Sequence, residues 1–143
     1  MFSDPKSVTR ISSLGAGPIG GGWTAHFLAR GYDVTAYLHD KNEINSFMAI
    51  LKTAWVSLEE LGLAPGASMD RLRIVTDLEE ALVGADFVQE SGPERLEVKQ
   101  ELYSEMGRLL PPSIIIGSST SGLMMSDIPV SYTHLTLPTT MLV

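Results

Sequence analysis

The stretch Ser13–Gly31, SLGAGPIGGGWTAHFLARG, holds six of the thirteen glycines of this 143-residue chain. It decides the fold. Val8 to Leu14 reads as a short strand ending at Gly15, and Pro18 to Arg30 as a helix closed by Gly31. Between them Gly15, Gly17 and Gly20 spell G-x-G-x-x-G. A strand that enters a helix through this spacing has a specific use for each glycine. The first permits a tight turn, the second lets backbone approach a diphosphate, and the third lets helix and strand pack closely. Gly15, Ala16, Gly17, Pro18, Ile19 and Gly20 are therefore candidate cofactor-binding residues. A methyltransferase loop would normally carry an acid just before the glycines, and Ser12, Ser13 and Leu14 supply none.

Working outward, the alternation continues. Val34 to Leu38 predicts a second strand. A long helix, about Asn42 to Leu61, carries Ile44, Phe47, Met48, Leu51, Trp55, Leu58 and Leu61 on one stripe. The loop GLAPGAS follows. Leu72 to Val75 is a strand, and Asp77 can cap a helix to about Val83. Asp86 to Glu90 is another strand. Glu94 to Leu110 predicts a helix with Val98, Leu102, Met106 and Leu109 on one face. PPSIIIG ends it and opens a buried strand. Repeated β-α alternation predicts an α/β fold: a Rossmann-type, doubly wound parallel sheet in three α/β/α layers.

Composition narrows the partners. The net charge is −7, from 10 basic and 17 acidic residues, which argues against nucleic acid. One phosphorylated cofactor remains compatible, because a helix N-terminus binds phosphate through backbone N–H groups. No apolar run reaches the roughly 18 residues of a membrane span, and the first ten residues show no secretory pattern. Cysteine is absent. A cytoplasmic protein acting on a small molecule, without nucleic acid or membrane as partner, is the expectation.

An acid about 20 residues past the glycines would meet the adenosine ribose. Asp40 is the candidate, and it is equally suited to cap the long helix. His39 and Lys41 flank it, so NAD is favoured over NADP without the latter being excluded. His39 is a weak candidate for adenosine stacking, and His26 reads as a surface or packing residue. No His, Asp or Glu cluster has metal spacing.

Three blocks, GAGPIGGGW (15–23), ADFVQESGPERLEVKQELYSEM (85–106) and IIIGSSTSGLMMSDI (114–128), resemble the NAD-binding domain of the 3-hydroxyacyl-CoA dehydrogenase superfamily. AWVSLEELGLAPGAS and SSTSGL resemble the branch that oxidises the secondary hydroxyl of carnitine with NAD. The resemblance implies a dinucleotide-binding domain over 1–128 and NAD as cofactor. It implies that Glu94 stands beside the nicotinamide end of the cofactor, that Lys99 binds near cofactor and substrate, and that Ser121 is the catalytic-site serine meeting the substrate's 3-hydroxyl. The intact family is homodimeric. Each residue also has an ordinary alternative: Glu94 as a first-turn helix acid, Lys99 as a solvated lysine, Ser121 as a turn or N-cap serine.

Two departures stand out. The family's ribose-binding Asp falls where Leu38 stands. Past Ile128 the residues PVSYTHLTLPTTMLV (129–143) do not continue the family pattern, whose histidine acts as general base and whose helical second domain closes the substrate site. The expectation is a non-family tail, a fold truncated before the helical domain, and an edge strand at Ser113 to Gly117. His134 does not fit the place of the base, and Ser121, His134 and Asp127 have nothing to orient them as a triad. A dehydrogenase domain inactive alone is thus expected. A non-catalytic NAD-sensing module is the alternative, and an acidic structural domain with a vestigial loop is a third.

Overall fold

The computed structural model describes residues 8–92, 96–119 and 135–136. Its elements run β1 (Arg10–Leu14), α1 (Pro18–Ala29), β2 (Asp33–Tyr37), α2 (Ile44–Leu61), β3 (Leu72–Val75), α3 (Leu78–Leu82), β4 (Phe87–Glu90), α4 (Leu96–Leu109), β5 (Ile115–Ser118) and β6 (Leu135–Thr136). The strands lie in the order β3-β2-β1-β4-β5-β6, all parallel. Strand order reverses between β1 and β4. In a doubly wound sheet that reversal opens a crevice at the carboxyl edge, where ligands bind.

Each face of the sheet has its own core. On one face α1 and α2 close over Ala25, Ala36, Leu38, Phe47 and Leu51, continued by Ile11, Phe27, Leu28 and Val34. On the other, α3 and α4 close over Leu14, Leu82, Val88, Tyr103, Met106 and Ile116. These are the three expected layers. No helix among the described residues is long and apolar enough to cross a membrane.

Three details differ from expectation. Leu61 ends the α2 stripe but is 83% exposed, at the last position before Gly62 closes the helix. The buried line of α4 is Lys99, Tyr103 and Met106, continued by Leu110 just past its end, one position round from much of the apolar stripe; Val98 is 39% exposed. The expected edge strand is also covered: Leu135 and Thr136 pair outside Ile116 and Gly117. This short strand satisfies part of the hydrogen-bonding edge that β5 would otherwise present.

Candidate functional site at the carboxyl edge

The register brings three strand ends together. Leu14 is level with Tyr37 on one side and Glu90 on the other, and Glu90 is level with Ser118. Backbone hydrogen bonds prolong the edge: Gly15 N–H donates to Tyr37 O (3.1 Å), Ser91 N–H to Leu14 O (2.7 Å) and Ser119 N–H to Glu90 O (2.9 Å).

The glycine loop crosses this edge, and its three fingerprint glycines have distinct surroundings. Gly15 has φ +133°, and a Cβ there would lie 2.4 Å from the Ser91 carbonyl oxygen. A Cβ on Gly20 would lie 2.4 Å from the Gly15 carbonyl oxygen. Backbone seals both positions. Gly17 has open space around its missing Cβ. The loop is therefore packed where it must hold its shape and bare where a ligand would approach.

Gly17 is also the N-cap of α1. No side chain caps the helix there, Pro18 takes the first turn, and the first turn carries no acid. Unsatisfied first-turn N–H groups and the positive end of the helix dipole favour an anion at this point. The packed cradle and its donors fit a dinucleotide diphosphate. Gly21, outside the fingerprint, lets α1 meet α2: a Cβ there would lie 2.5 Å from Ile50 Cγ2.

At the end of β2, Leu38 is fully buried in the core beneath α1 and α2. Asp40 is exposed, two residues on. Its Oδ1 accepts from Asn42 N–H at 2.9 Å, and its own N–H donates to Glu43 Oε1 at 3.1 Å. This capping box opens the 3₁₀ turn Lys41–Glu43, which delays α2 to Ile44. A carboxylate has several acceptor sites, so capping leaves Asp40 with capacity for a hydroxyl. His39 is exposed beside it. His26 lies on α1 among Trp23 and Phe27, at ring distances of 5.9 and 6.0 Å. Burial first, then the Arg30 charge, holds its pKa below the ordinary histidine value.

Beyond the glycine loop, Lys99 is not a solvated lysine. Its side chain is 1% exposed, and Nζ donates to Glu90 Oε2 at 2.6 Å. Glu90, fully buried, also accepts from Gly92 N–H (2.6 Å), Tyr103 O–H (3.0 Å) and Ser118 O–H (2.9 Å). Sequence inspection alone passed over Glu90. The available signal was an acid at the end of a strand, nine residues before a lysine on the next helix. Beside this cluster Gln89 Nε2 donates to Ser119 Oγ (3.0 Å), which lies 3.1 Å from Ser91 Oγ. Glu94, Ser121, Asp127 and His134 lie outside the described residues. No group of three or more His, Asp or Glu side chains among the described residues could hold a metal.

Comparison with known proteins agrees with this geometry. Residues 10–136 match the family described as 3-hydroxyacyl-CoA dehydrogenase, NAD binding domain. The chain is 47% identical over 126 residues to an L-carnitine dehydrogenase of Streptomyces coelicolor, covering 88% of this chain and 40% of the relative. It is 49% identical over 123 residues to that of Streptomyces griseus, covering 86% and 37%. The chain thus spans about two fifths of the length of these relatives. Among solved structures, 3-hydroxybutyryl-CoA dehydrogenase from Escherichia coli K12 superposes with a TM-score of 0.77 at 26% identity, covering 90% of this chain and 28% of the other.

Proposed function

The chain belongs to the 3-hydroxyacyl-CoA dehydrogenase NAD-binding family, and from that membership we propose that it forms the cofactor-binding part of an oxidoreductase acting on the 3-hydroxyl of carnitine or a related 3-hydroxy acid. NAD is the cofactor of this family, and its nicotinamide ring accepts the hydride when bound. The observation that carries the proposal is the contrast within the glycine loop: Gly15 and Gly20 sealed by backbone, Gly17 open at the head of α1.

In this proposal Gly15 to Gly20 hold the diphosphate through backbone N–H groups, and Asp40 accepts from the adenosine ribose. Glu94 serves the nicotinamide end, Lys99 lies near cofactor and substrate, and Ser121 orients the substrate hydroxyl. A small zwitterionic substrate suits the region 41–70 better than a CoA nucleotide, since its basic residues before Asp70 are only Lys41 and Lys52.

Oxidising a hydroxyl also needs a proton acceptor, worth roughly 10²–10⁴-fold in rate. His26 sits in an aromatic cluster on α1, and His39 follows β2. By sequence position none of His26, His39 and His134 matches the histidine that the family uses, so these 143 residues alone are expected to bind NADH without turning over carnitine. The homodimer and cytoplasmic setting of the family belong to the same proposal.

Calorimetric titration of the 143-residue chain with NADH, and NADPH alongside, is the test. Saturable binding that favours NADH supports the proposal. No binding to either dinucleotide reduces the family relationship to ancestry, and steady NADH formation from carnitine and NAD would refute the expected inactivity.

A further inference from the structure

Gln89 and Glu90 end β4 side by side and reach opposite faces of the sheet. Glu90 serves the α4 face, where Lys99, Tyr103 and Ser118 meet it. Alternation turns Gln89 to the α1 face, where it joins Trp23 and Phe27 in lining a cleft. Gln89 is fully buried. Gly117 stands level with it on β5 and has no side chain to bar its way. The carboxamide reaches past Gly117 to the next residue on that face, and its Nε2 donates to Ser119 Oγ at 3.0 Å. Ser119 Oγ in turn lies 3.1 Å from Ser91 Oγ. The amide oxygen of Gln89 has no hydrogen-bond partner among the described residues.

A buried amide with an unpaired oxygen costs stability that an apolar side chain of similar length would not. What the amide supplies is direction. Ser91 and Ser119 are both half-buried at the carboxyl edge, and a contact between two such hydroxyls competes with water. A donor fixed in the core sets where the Ser119 oxygen sits, and with it the hydroxyl pair that bridges the turn after β4 to the end of β5. We infer that Gln89 is a positioning residue, which holds the Ser91–Ser119 hydroxyl pair as a polar lip of the crevice for the nicotinamide half of the dinucleotide. The inference rests on the proposal that the crevice binds NAD. It concerns the nicotinamide half because β4 and β5 lie across the glycine loop from β2, the strand that leads to Asp40.

The test compares Q89M, S119A and Q89M/S119A with the parent, all as the full chain. Each is melted, then titrated with NADH and with ADP, which carries adenosine and diphosphate without nicotinamide. Q89M is expected to melt about 3 °C above the parent, because the unpaired amide is gone. It should weaken NADH about fivefold, the value of one neutral hydrogen bond, while ADP stays within about twofold of the parent. The double variant should lose no more NADH affinity than the worse single, because both changes break the same bond.

Unchanged NADH affinity in Q89M would overturn the inference. So would equal losses of NADH and ADP, which mark general damage to the sheet, and so would additive losses in the double variant, which mean that Gln89 acts by a route other than Ser119. Q89L is the second apolar replacement should Q89M pack poorly. A fall in melting temperature with both would show that the amide is kept for stability, and would also overturn it. A parent that binds NADH no better than ADP removes the lip's role and leaves the dinucleotide site standing, whereas a parent that binds neither brings down the NAD proposal itself.

Discussion

Gly21 of α1 faces Ile50 of α2 so closely that a single added carbon would lie 2.5 Å from the Ile50 Cγ2 methyl, whereas its neighbour Gly22 faces open space. Two adjacent glycines in one helix thus answer to different demands. Gly21 sets the separation of α1 from α2, and that pairing buries Phe47 and Leu51 against Leu38.

G21A should destabilise the protein by about 1–3 kcal/mol, the usual cost of overpacking a fitted contact. G22A should stabilise it by about 0.5–1 kcal/mol, because alanine loses less backbone entropy in a helix interior. Denaturant midpoints of the two variants give the comparison. Adding I50A to G21A should recover part of the loss. Equal effects from G21A and G22A would show that the α1–α2 contact is looser than described.

Within the fingerprint the same logic separates folding from binding. G15A forces a side chain into a left-handed conformation against the Ser91 carbonyl. A loss of at least about 2 kcal/mol in stability is expected, from strain and overlap together. G17A meets nothing and keeps an ordinary φ of −79°. Its stability should stay within about 1 kcal/mol of the parent, while NADH affinity falls at least about tenfold as the methyl occupies the open face. A G17A protein that bound NADH normally would move the diphosphate elsewhere.

Alternation and glycine spacing made the layers, the strand positions and the fingerprint legible, because each is a local demand on residue type. What stayed hidden depends on pairing across the chain. The periodicity of α4 selects Val98 and Leu102, yet Lys99 and Tyr103 face the sheet. A lysine on the inner line makes sense only once Glu90 stands opposite, at the end of a strand nine residues earlier. The two residues of β6 were equally invisible, since so short a strand has no period of its own and exists through its partner β5.

Asp86 ties the amino ends of β1 and β4. Its Oδ2 accepts from Thr9 N–H and Arg10 N–H, each at 3.0 Å, and from Thr9 Oγ1 at 3.2 Å. The Thr9 backbone bond is the first cause of a pKa below the ordinary aspartate value, with Arg10 adding to it against the opposing effect of desolvation. A carboxylate with a lowered folded pKa contributes stability that is present above its unfolded value. That contribution is lost as pH falls through the folded one. D86N should therefore cost stability at pH 7, and the gap from the parent should close in acid, below the ordinary aspartate range. Unfolding midpoints across pH check this, and a gap that did not narrow in acid would assign the effect to something other than ionisation.

Asp40 is asked to do two things, and the two can be separated. As a cap it holds the turn before α2 through Asn42 N–H, in partnership with Glu43. As a ribose acceptor it must use its negative charge. D40A removes both roles and should cost about 1 kcal/mol in stability, the usual value of an N-cap. D40N keeps a side-chain acceptor for Asn42, so its stability should stay within about 0.5 kcal/mol of the parent. The charge-assisted bond to a ribose hydroxyl would still be lost, at about 1.5–3 kcal/mol, or at least tenfold in NADH affinity. NADPH should lose less, because its 2′-phosphate no longer meets an aspartate, and Lys41 stands next in the chain. Parallel titrations of the parent and both variants with the two dinucleotides decide it. If D40N bound NADH as well as the parent while D40A lost only stability, Asp40 would be a helix cap alone. With Leu38 buried in the core, the adenosine ribose would then have to be recognised from outside the β2 loop.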